Sequence, residues 1–461
     1  MGESLKVEVL VAEIGSTTTV VSAFDGVADG CARLLGQGAG ATTVDRGDVV
    51  EGLEDALADL ARALGCEEVS WDRFLACSSA AGGLQMTVHG LVYDMTVKAA
   101  NEAALGAGAV VRMVTAGDLT DSDLERIVDV NPSIMLLAGG VDYGERETAV
   151  RNARRLASLD LRVPVVYAGN RAARDEVVAI LGERVHPVAN VYPRIDQLDI
   201  EPTRREIQRI FEEHIVRAPG MSRVRELITG DIMPVPGAVM RAAECLRERI
   251  GDLVAIDVGG ATTDVHSVTE GSEEISRILV APEPLAKRTV EGDLGVYVNA
   301  RNLVERVGAE SLERELGFPP GPVLEAMGPV PKNEEERLLV ARLTREAAAT
   351  ALHRHVGRTR HLFGPSGRMT VAEGKDLTEI RWVIGTGGAL TRLSGGKELL
   401  RSVLDRPAPG MLYPRAARVA IDADYIMAAA GMLSRIDGEA ATHLMKRSLG
   451  MEADPDEVSA G

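Results

Sequence analysis

Aromatic residues are scarce in this chain: two Trp, seven Tyr and five Phe, or 3% of 461 residues. So few rings give no support to the stacked platforms that hold single-stranded nucleic acid. A basic excess is missing as well. Lys and Arg number 51 against 69 Asp and Glu, a formal net charge of −18, which argues against a broad nucleic-acid or anionic-membrane surface. Any anionic ligand would have to be held locally, by backbone amides and a metal ion. The four cysteines (Cys31, Cys66, Cys77, Cys245) form no CxxC pair and no His-linked spacing. Neither a zinc site nor a disulfide framework is therefore indicated, and they read as small buried hydrophobes in a reducing compartment. No apolar run reaches the roughly 18 residues of a membrane span. The first residues lack a basic region and a cleavage signal, and Gly2 runs straight into a strand, so no leader or myristoyl anchor is read there. The expected location is cytoplasmic.

What is present is a globular composition, 45% apolar and 26% charged, in a chain long enough for two or three domains. Small residues dominate, which suits closely packed α/β layers. VEVLVAEIG and TVVSAF read as two strands joined at Gly15 and Ser16. Helical periodicity follows at about 49–64, then the strand RFLACSSA, an Ala-rich helix over 94–107 and the strand VVRMVTAG. NPSIMLLAGG, ETAVRNARRLASL, VPVVYAGN and RAARDEVVAIL then alternate strand and helix, the pattern of a helix-covered parallel sheet. Prolines punctuate 187–236, with a charged helix at about 203–216. Beyond them lie GAVMRAAECLRER as helix, LVAIDVGGATTDVHSV as strand, a Pro- and Glu-rich loop with charged helix over 308–336, a long helix over 337–356 and the strand RWVIGTGGAL. The expected division is a first lobe over 1–190, a crossing segment over 191–236, a second lobe over 237–446 and an acidic tail over 447–461 that reads as disordered.

An internal repeat supports two lobes. VLVAEIGSTTTVVSAF (9–24) aligns with LVAIDVGGATTDVHSV (253–268), Asp257 lying 244 positions after Glu13. A second pair, LLAGG ending at Gly140 and IGTGG ending at Gly388, repeats 248 positions apart. Two motifs at nearly one offset indicate a duplicated domain.

The repeated element has a chemical reading. A turn without bulky side chains lets backbone N–H groups approach phosphate oxygens. Ser and Thr hydroxyls add bonds to the same oxygens, and the acid ending the preceding strand can hold a hydrated Mg²⁺. Two such hairpins facing each other make a clamp for a polyphosphate. A lone acid-x-Gly-hydroxyl motif is more often a structural turn; paired copies, each after a buried strand, favour nucleotide.

These motifs resemble the actin/Hsp70/hexokinase superfamily of ATPases. IDVGGATTDV (256–265) is similar to its second phosphate loop, MPVPGAVMRAAECL (233–246) to the helix crossing between lobes, RWVIGTGGAL (381–390) to the adenosine-contacting turn, and IDADYIMAAAGML (421–433) to the second connecting helix. The resemblance spans almost the whole chain and implies a two-lobed α/β fold, duplicated and ribonuclease H-like, with ATP and Mg²⁺ in the interlobe cleft. It implies that Asp257 binds Mg²⁺ or orients the attacking water, with Glu13 sharing the metal and Asp264 either assisting or making a structural hydrogen bond. Gly15, Ser16, Thr17 and Thr18 would face Gly259, Gly260, Ala261 and Thr262 across the phosphates, and Gly385, Gly387 and Gly388 would line the adenosine. The first loop departs from the superfamily pattern, which has Asp where Glu13 stands. No catalytic Lys is placed: Lys98 reads as an exposed helix residue.

EIGSTTT, ACSSAAGGL, LLAGGVDYG, VYAGN and IDVGGATTDVHSV together look like the glutamate-mutase-associated family called GlmL or MutL, unrelated to the mismatch-repair protein of the second name. This resemblance implies an accessory ATPase that reactivates or assembles an adenosylcobalamin-dependent mutase. A small-molecule kinase of the same fold and a non-hydrolysing, nucleotide-gated binding module are the alternatives. ACSSAAGG (76–83) either borders the cleft or simply packs. His353, His355 and His361 do not share a helix face and read as no metal site; the basic stretch around them is a solvated face or a dock for an acidic partner.

Overall fold

The computed structural model describes residues 4–43, 49–79, 84–195, 197–215, 221–364, 367–405 and 409–451. The chain opens with β1 (Ser4–Ile14), β2 (Thr18–Asp25), β3 (Arg33–Ala41), α1 (Val50–Leu64) and β4 (Glu68–Ser78). It then leaves this sheet for a second one: β5 (Leu84–Gly90), a π-helical turn over Tyr93–Val97, α2 (Lys98–Gly106), β6 (Ala109–Ala116), α3 (Asp121–Val130), β7 (Ile134–Leu137), α4 (Glu147–Ala157), β8 (Val165–Tyr167), α5 (Arg174–Leu181) and β9 (Val185–Pro187). These strands form an all-parallel sheet in the order β6-β5-β7-β8-β9. Helices cover it, as parallel crossovers require. After α6 (Glu201–Ile215) and α7 (Met221–Leu227), β10 (Ile232–Pro234) returns to the first sheet beside β4, completing the order β3-β2-β1-β4-β10.

The second lobe repeats that plan. It contains α8 (Val235–Ile250), β11 (Leu253–Val258), β12 (Thr263–Val268), α9 (Glu273–Ser276), β13 (Ala286–Glu291), α10 (Ala300–Val307), α11 (Ala309–Leu316), α12 (Pro320–Ala326), α13 (Glu334–His355), the hairpin β14 (Arg358–Gly364) and β15 (Gly367–Glu373), β16 (Trp382–Thr386), α14 (Gly388–Thr391), α15 (Gly396–Leu404), β17 (Arg418–Ile421), α16 (Met427–Leu433) and α17 (Gly438–Ser448). Its sheet runs β13-β12-β11-β16-β17. Each lobe thus has three antiparallel strands followed by two parallel ones, and the repeat seen in the sequence is a repeat of topology. The fold is the two-lobed α/β architecture that the superfamily resemblance implies.

Three details differ from the sequence reading. Residues 1–190 carry two sheets rather than one, because the parallel sheet of β5–β9 is inserted between β4 and β10. Two helices, α11 and α12, occupy the Pro-rich stretch after 308, where Pro319 and Pro320 open α12 and a missing N–H is harmless. The last helix continues through Ser448 and buries Leu449; of the expected tail, 452–461 lie outside the described residues.

Alternation with period two decides what faces the gap between lobes. In β1, Leu10, Ala12 and Ile14 pack with Leu53 and Leu60 of α1, whereas Val9 and Val11 turn to the interlobe core. In β11, Val254, Ile256 and Val258 join the second lobe's own core, whereas Leu253 and Ala255 turn to the interlobe side. Glu13 and Asp257 continue those interlobe rows, so both acids emerge where the shared core ends. Filling that core are α8 and α16, the helices that follow the last strand of each sheet. They cross so closely that a Cβ on Gly431 would stand 1.8 Å from the carbonyl oxygen of Ala238. Only glycine permits that approach.

Candidate functional site: the interlobe cleft

The two hairpin turns are built alike. Gly15 N–H donates to the Thr18 carbonyl at 3.0 Å, and Gly259 N–H donates to the Thr262 carbonyl at 2.9 Å. The first turn is braced by Thr42 N–H donating to the Thr17 carbonyl at 3.1 Å. The second is braced by Val296, Tyr297 and Val298, whose N–H groups donate to the carbonyls of Gly259 and Gly260. The turns meet across the cleft: a Cβ on Gly260 would lie 3.0 Å from the Thr17 hydroxyl oxygen. Ser16 and Ser79 hydroxyls stand 3.5 Å apart, so the end of β4 does border the site; Ala80 and the glycines beyond it lie outside the described residues.

Beneath the turns is an acidic floor. Asp257 is opposite Asp264 in the β11–β12 register. Burial, then the charges of Asp264 and Glu13, push the Asp257 carboxyl well above the usual carboxylate range. It accepts no hydrogen bond from any described residue. Burial raises Glu13 to about 7, opposed by a hydrogen bond from the Tyr425 hydroxyl at 2.7 Å. Asp422, fully buried, also rises through burial. Its carboxylate accepts from the N–H groups of Ile426 and Met427 and from the Thr386 hydroxyl. It therefore fixes the start of α16 and aims Tyr425 at Glu13. Tyr425 itself has φ 51, an uncommon conformation for a bulky residue. It is clamped by the Arg392 guanidinium, 5.7 Å from its ring centroid, and by Gln37 of the first lobe, which donates to its carbonyl.

The remaining candidates separate. Asp264 is engaged elsewhere: it accepts Arg288 Nε at 2.9 Å and the Thr262 hydroxyl at 2.9 Å. Gly387, at φ 86, is pressed against the floor, where a Cβ would meet Asp257 Oδ1 at 2.4 Å. Gly385 faces Ile421 and Leu400 inside the lobe, and Gly388 is exposed at the first turn of α14. Lys98 is ion-paired with Glu283. His355 is buried between the Ser267 and Thr289 hydroxyls, His353 lies beside Tyr413, and His361 is on β14. Sequence reasoning missed Tyr425, Asp422 and Arg288. Asp422 and Tyr425 fall within the motif read as a connecting helix, where an acid ahead of a small-residue run was the available signal.

Among the described residues no helix is long and apolar enough to cross a membrane. The family model described as MutL protein matches residues 9–449. The chain is 38% identical to Protein MutL of Clostridium tetanomorphum over 459 residues, covering 95% of this chain and 98% of that one. Among solved structures, similarity extends to a diol dehydratase-reactivating factor in nucleotide-free form (13% identity, 93% and 99% of the two chains, TM-score 0.35). It also extends to a ROK family glucokinase from Streptomyces griseus in complex with glucose and AMPPNP (14% identity, 95% and 99%, TM-score 0.32). Sequence identity over nearly the full length, with matching of the family model from β1 to the last helix, establishes that this chain belongs to the MutL protein family.

Proposed function

We propose that the protein is a nucleotide-dependent accessory factor, binding ATP with Mg²⁺ in the interlobe cleft, that reactivates or assembles an adenosylcobalamin-dependent mutase. The observation that carries this reading is the pair of facing turns over Glu13 and Asp257, set between lobes that share α8 and α16. Backbone N–H groups of 15–18 and 259–262 would hold the phosphates. The donor set suits Mg²⁺, which takes one or two carboxylates and completes its shell with water and phosphate oxygens. Glu13, alone or with Asp257, would hold it, and the ion would neutralise phosphate charge. Asp257, which accepts no hydrogen bond from any described residue, would either share the ion with Glu13 or orient the attacking water and accept its proton, a role worth about 10²–10⁴-fold. Asp264, held by Arg288, positions the second turn and does not share in the proton transfer. Sliding of α8 against α16 would convert closure of the cleft into movement between lobes.

The test is Mg²⁺-dependent ATP hydrolysis by the purified protein, alone and with a cobalamin-dependent mutase blocked by damaged cofactor. Turnover stimulated by the mutase, together with recovered mutase activity on adding adenosylcobalamin, is the expected result. Binding without turnover or rescue would replace this reading with the non-hydrolysing module. Asp257→Ala should abolish turnover with the fold intact, and unchanged turnover would remove Asp257 from the site.

A further inference from the structure

Three contacts fasten α2, the first helix of the inserted sheet, to the second lobe. In its first turn Lys98 pairs with Glu283, and one turn later Glu102 pairs with Lys375 at 3.1 Å. At its far end the Arg288 Nη1 group, arriving from β13, donates to the carbonyls of Leu105 and Ala109, both at 2.9 Å. The Leu105 carbonyl, which already accepts the Gly108 N–H, thus takes a second hydrogen bond from a guanidinium of the opposite lobe.

The third contact continues into the cleft. The same guanidinium donates to Asp264 Oδ1, and Asp264 Oδ2 accepts the Thr262 hydroxyl. Thr262 in turn closes the second turn through its carbonyl. An unbroken series of hydrogen bonds therefore runs from the 259–262 turn to the last turn of α2, and Asp264 and Arg288 within it are buried. This arrangement is also incompletely satisfied. Glu102 Oε2 and Glu283 Oε2 are buried without a hydrogen-bond partner. Such groups carry a desolvation penalty that access to water removes. The docked contact of α2 with the second lobe is to that extent weaker than its ion pairs alone would make it.

The 259–262 turn lies too near the first turn to admit a phosphate group between them, since even a Cβ on Gly260 would stand 3.0 Å from the Thr17 hydroxyl oxygen, so a polyphosphate there must part the two turns. Parting them moves Thr262, and with it the Asp264–Arg288 pair. We infer that α2 is a latch whose hold on the second lobe is set by the phosphate turn through Asp264 and Arg288, so that nucleotide in the cleft undocks the inserted sheet. The inference rests on the nucleotide reading of the cleft and adds to it which part of the molecule responds. The π-helical turn just before α2 presents exposed Val92 and Tyr93, so the latch repositions an exposed apolar pair when it opens.

Hydrogen exchange of the full chain, with Mg²⁺ and a non-hydrolysable ATP analogue, tests this. Amides of 98–106 should exchange about fivefold or more faster with the analogue than without it. Lys98→Ala, at a partly exposed position, should speed the same amides without nucleotide. By reciprocity it should also tighten analogue binding by a comparable factor, about fivefold. Arg288→Lys cannot span both carbonyls and Asp264, so the analogue should bind while 98–106 no longer respond; if that buried variant fails to fold, Lys98→Ala and Glu283→Gln carry the test. Analogue binding with unchanged exchange over 98–106, or unchanged affinity in Lys98→Ala, would overturn the latch alone. A titration showing no analogue binding at all would overturn the nucleotide reading and the latch with it.

Discussion

The contact between Tyr425 and Glu13 makes a quantitative prediction. Burial lifts Glu13 to about 7, and the 2.7 Å bond from Tyr425 is the largest influence acting in the other direction. A hydrogen bond to a charged group contributes about 1.5–3 kcal/mol, which corresponds to about one to two pH units. Tyr425→Phe should therefore move the midpoint of Glu13 from about 7 to about 8–9. Magnesium requires the ionised carboxylate. In the wild type, Mg²⁺-supported nucleotide binding should strengthen as pH rises through about 7; in the variant that rise should come at higher pH. Near neutral pH the ionised fraction falls from about one half to about a tenth or less, so affinity in Mg²⁺ should drop about fivefold or more. Well above both midpoints the variant should bind as tightly as the wild type or more so, since a contact opposing separation of the lobes is gone. Calorimetric titration across this pH range, with Mg²⁺ and with chelator, measures each quantity. Identical midpoints in the two proteins would refute the assignment of Glu13 as a Tyr425-supported metal ligand.

Other consequences concern stability. An acid raised on folding holds its proton longer in the native state, so its ionisation opposes folding as pH climbs from 4.5 through about 7. Glu13→Gln should accordingly be neutral at acid pH and stabilising by up to about 3 kcal/mol above neutrality, seen as a melting-temperature difference that grows with pH; a constant difference would contradict it. Gly387→Ala forces a Cβ into Asp257 Oδ1 at positive φ and should lose about 1–3 kcal/mol of stability, with nucleotide binding weakened more than urea resistance. Gly431→Ala drives a methyl group into the Ala238 carbonyl. It should lower the melting temperature and, by splaying α8 from α16, alter the interlobe distance reported by a fluorophore pair.

Much of this was legible in the sequence, for identifiable reasons. The paired hairpins could be read because acid, glycine and hydroxyls are adjacent in the chain, and because duplication printed the pattern twice. The interlobe position of Glu13 and Asp257 follows from strand alternation alone. The inserted sheet escaped notice because its strand–helix units have the same periodicity as the lobe that surrounds them; only the return of β10 to β4 reveals the insertion, and that pairing joins residues 76–78 to 232–234. Tyr425 and Arg288 were invisible for a different reason. Each acts on a residue far away in sequence, Glu13 and Leu105, and no local spacing encodes such a contact. Asp264 was equally balanced between two roles on sequence grounds, and its bonds with the buried Arg288 and with Thr262 support the positioning role proposed above.

The glutamate in the first loop, where the superfamily pattern has aspartate, acquires a physical reason from the same geometry. Tyr425 reaches Glu13 from the opposite lobe, and a side chain shorter by one methylene, about 1.5 Å, would fall out of hydrogen-bond range. The longer acid would therefore serve two purposes: it is the metal ligand proposed above, and its bond with Tyr425 joins one lobe to the other. Glu13→Asp separates them. It restores the common pattern of the loop while deleting the interlobe bond, and it should loosen the closed cleft in the same sense as Tyr425→Phe. Since both substitutions remove one contact, the double variant should show little further change. In a double-mutant cycle on the rate of nucleotide association, the coupling should be comparable to either single effect, about 1 kcal/mol or more. Strictly additive effects would mean that the two residues act independently, and that the glutamate is there for the metal alone.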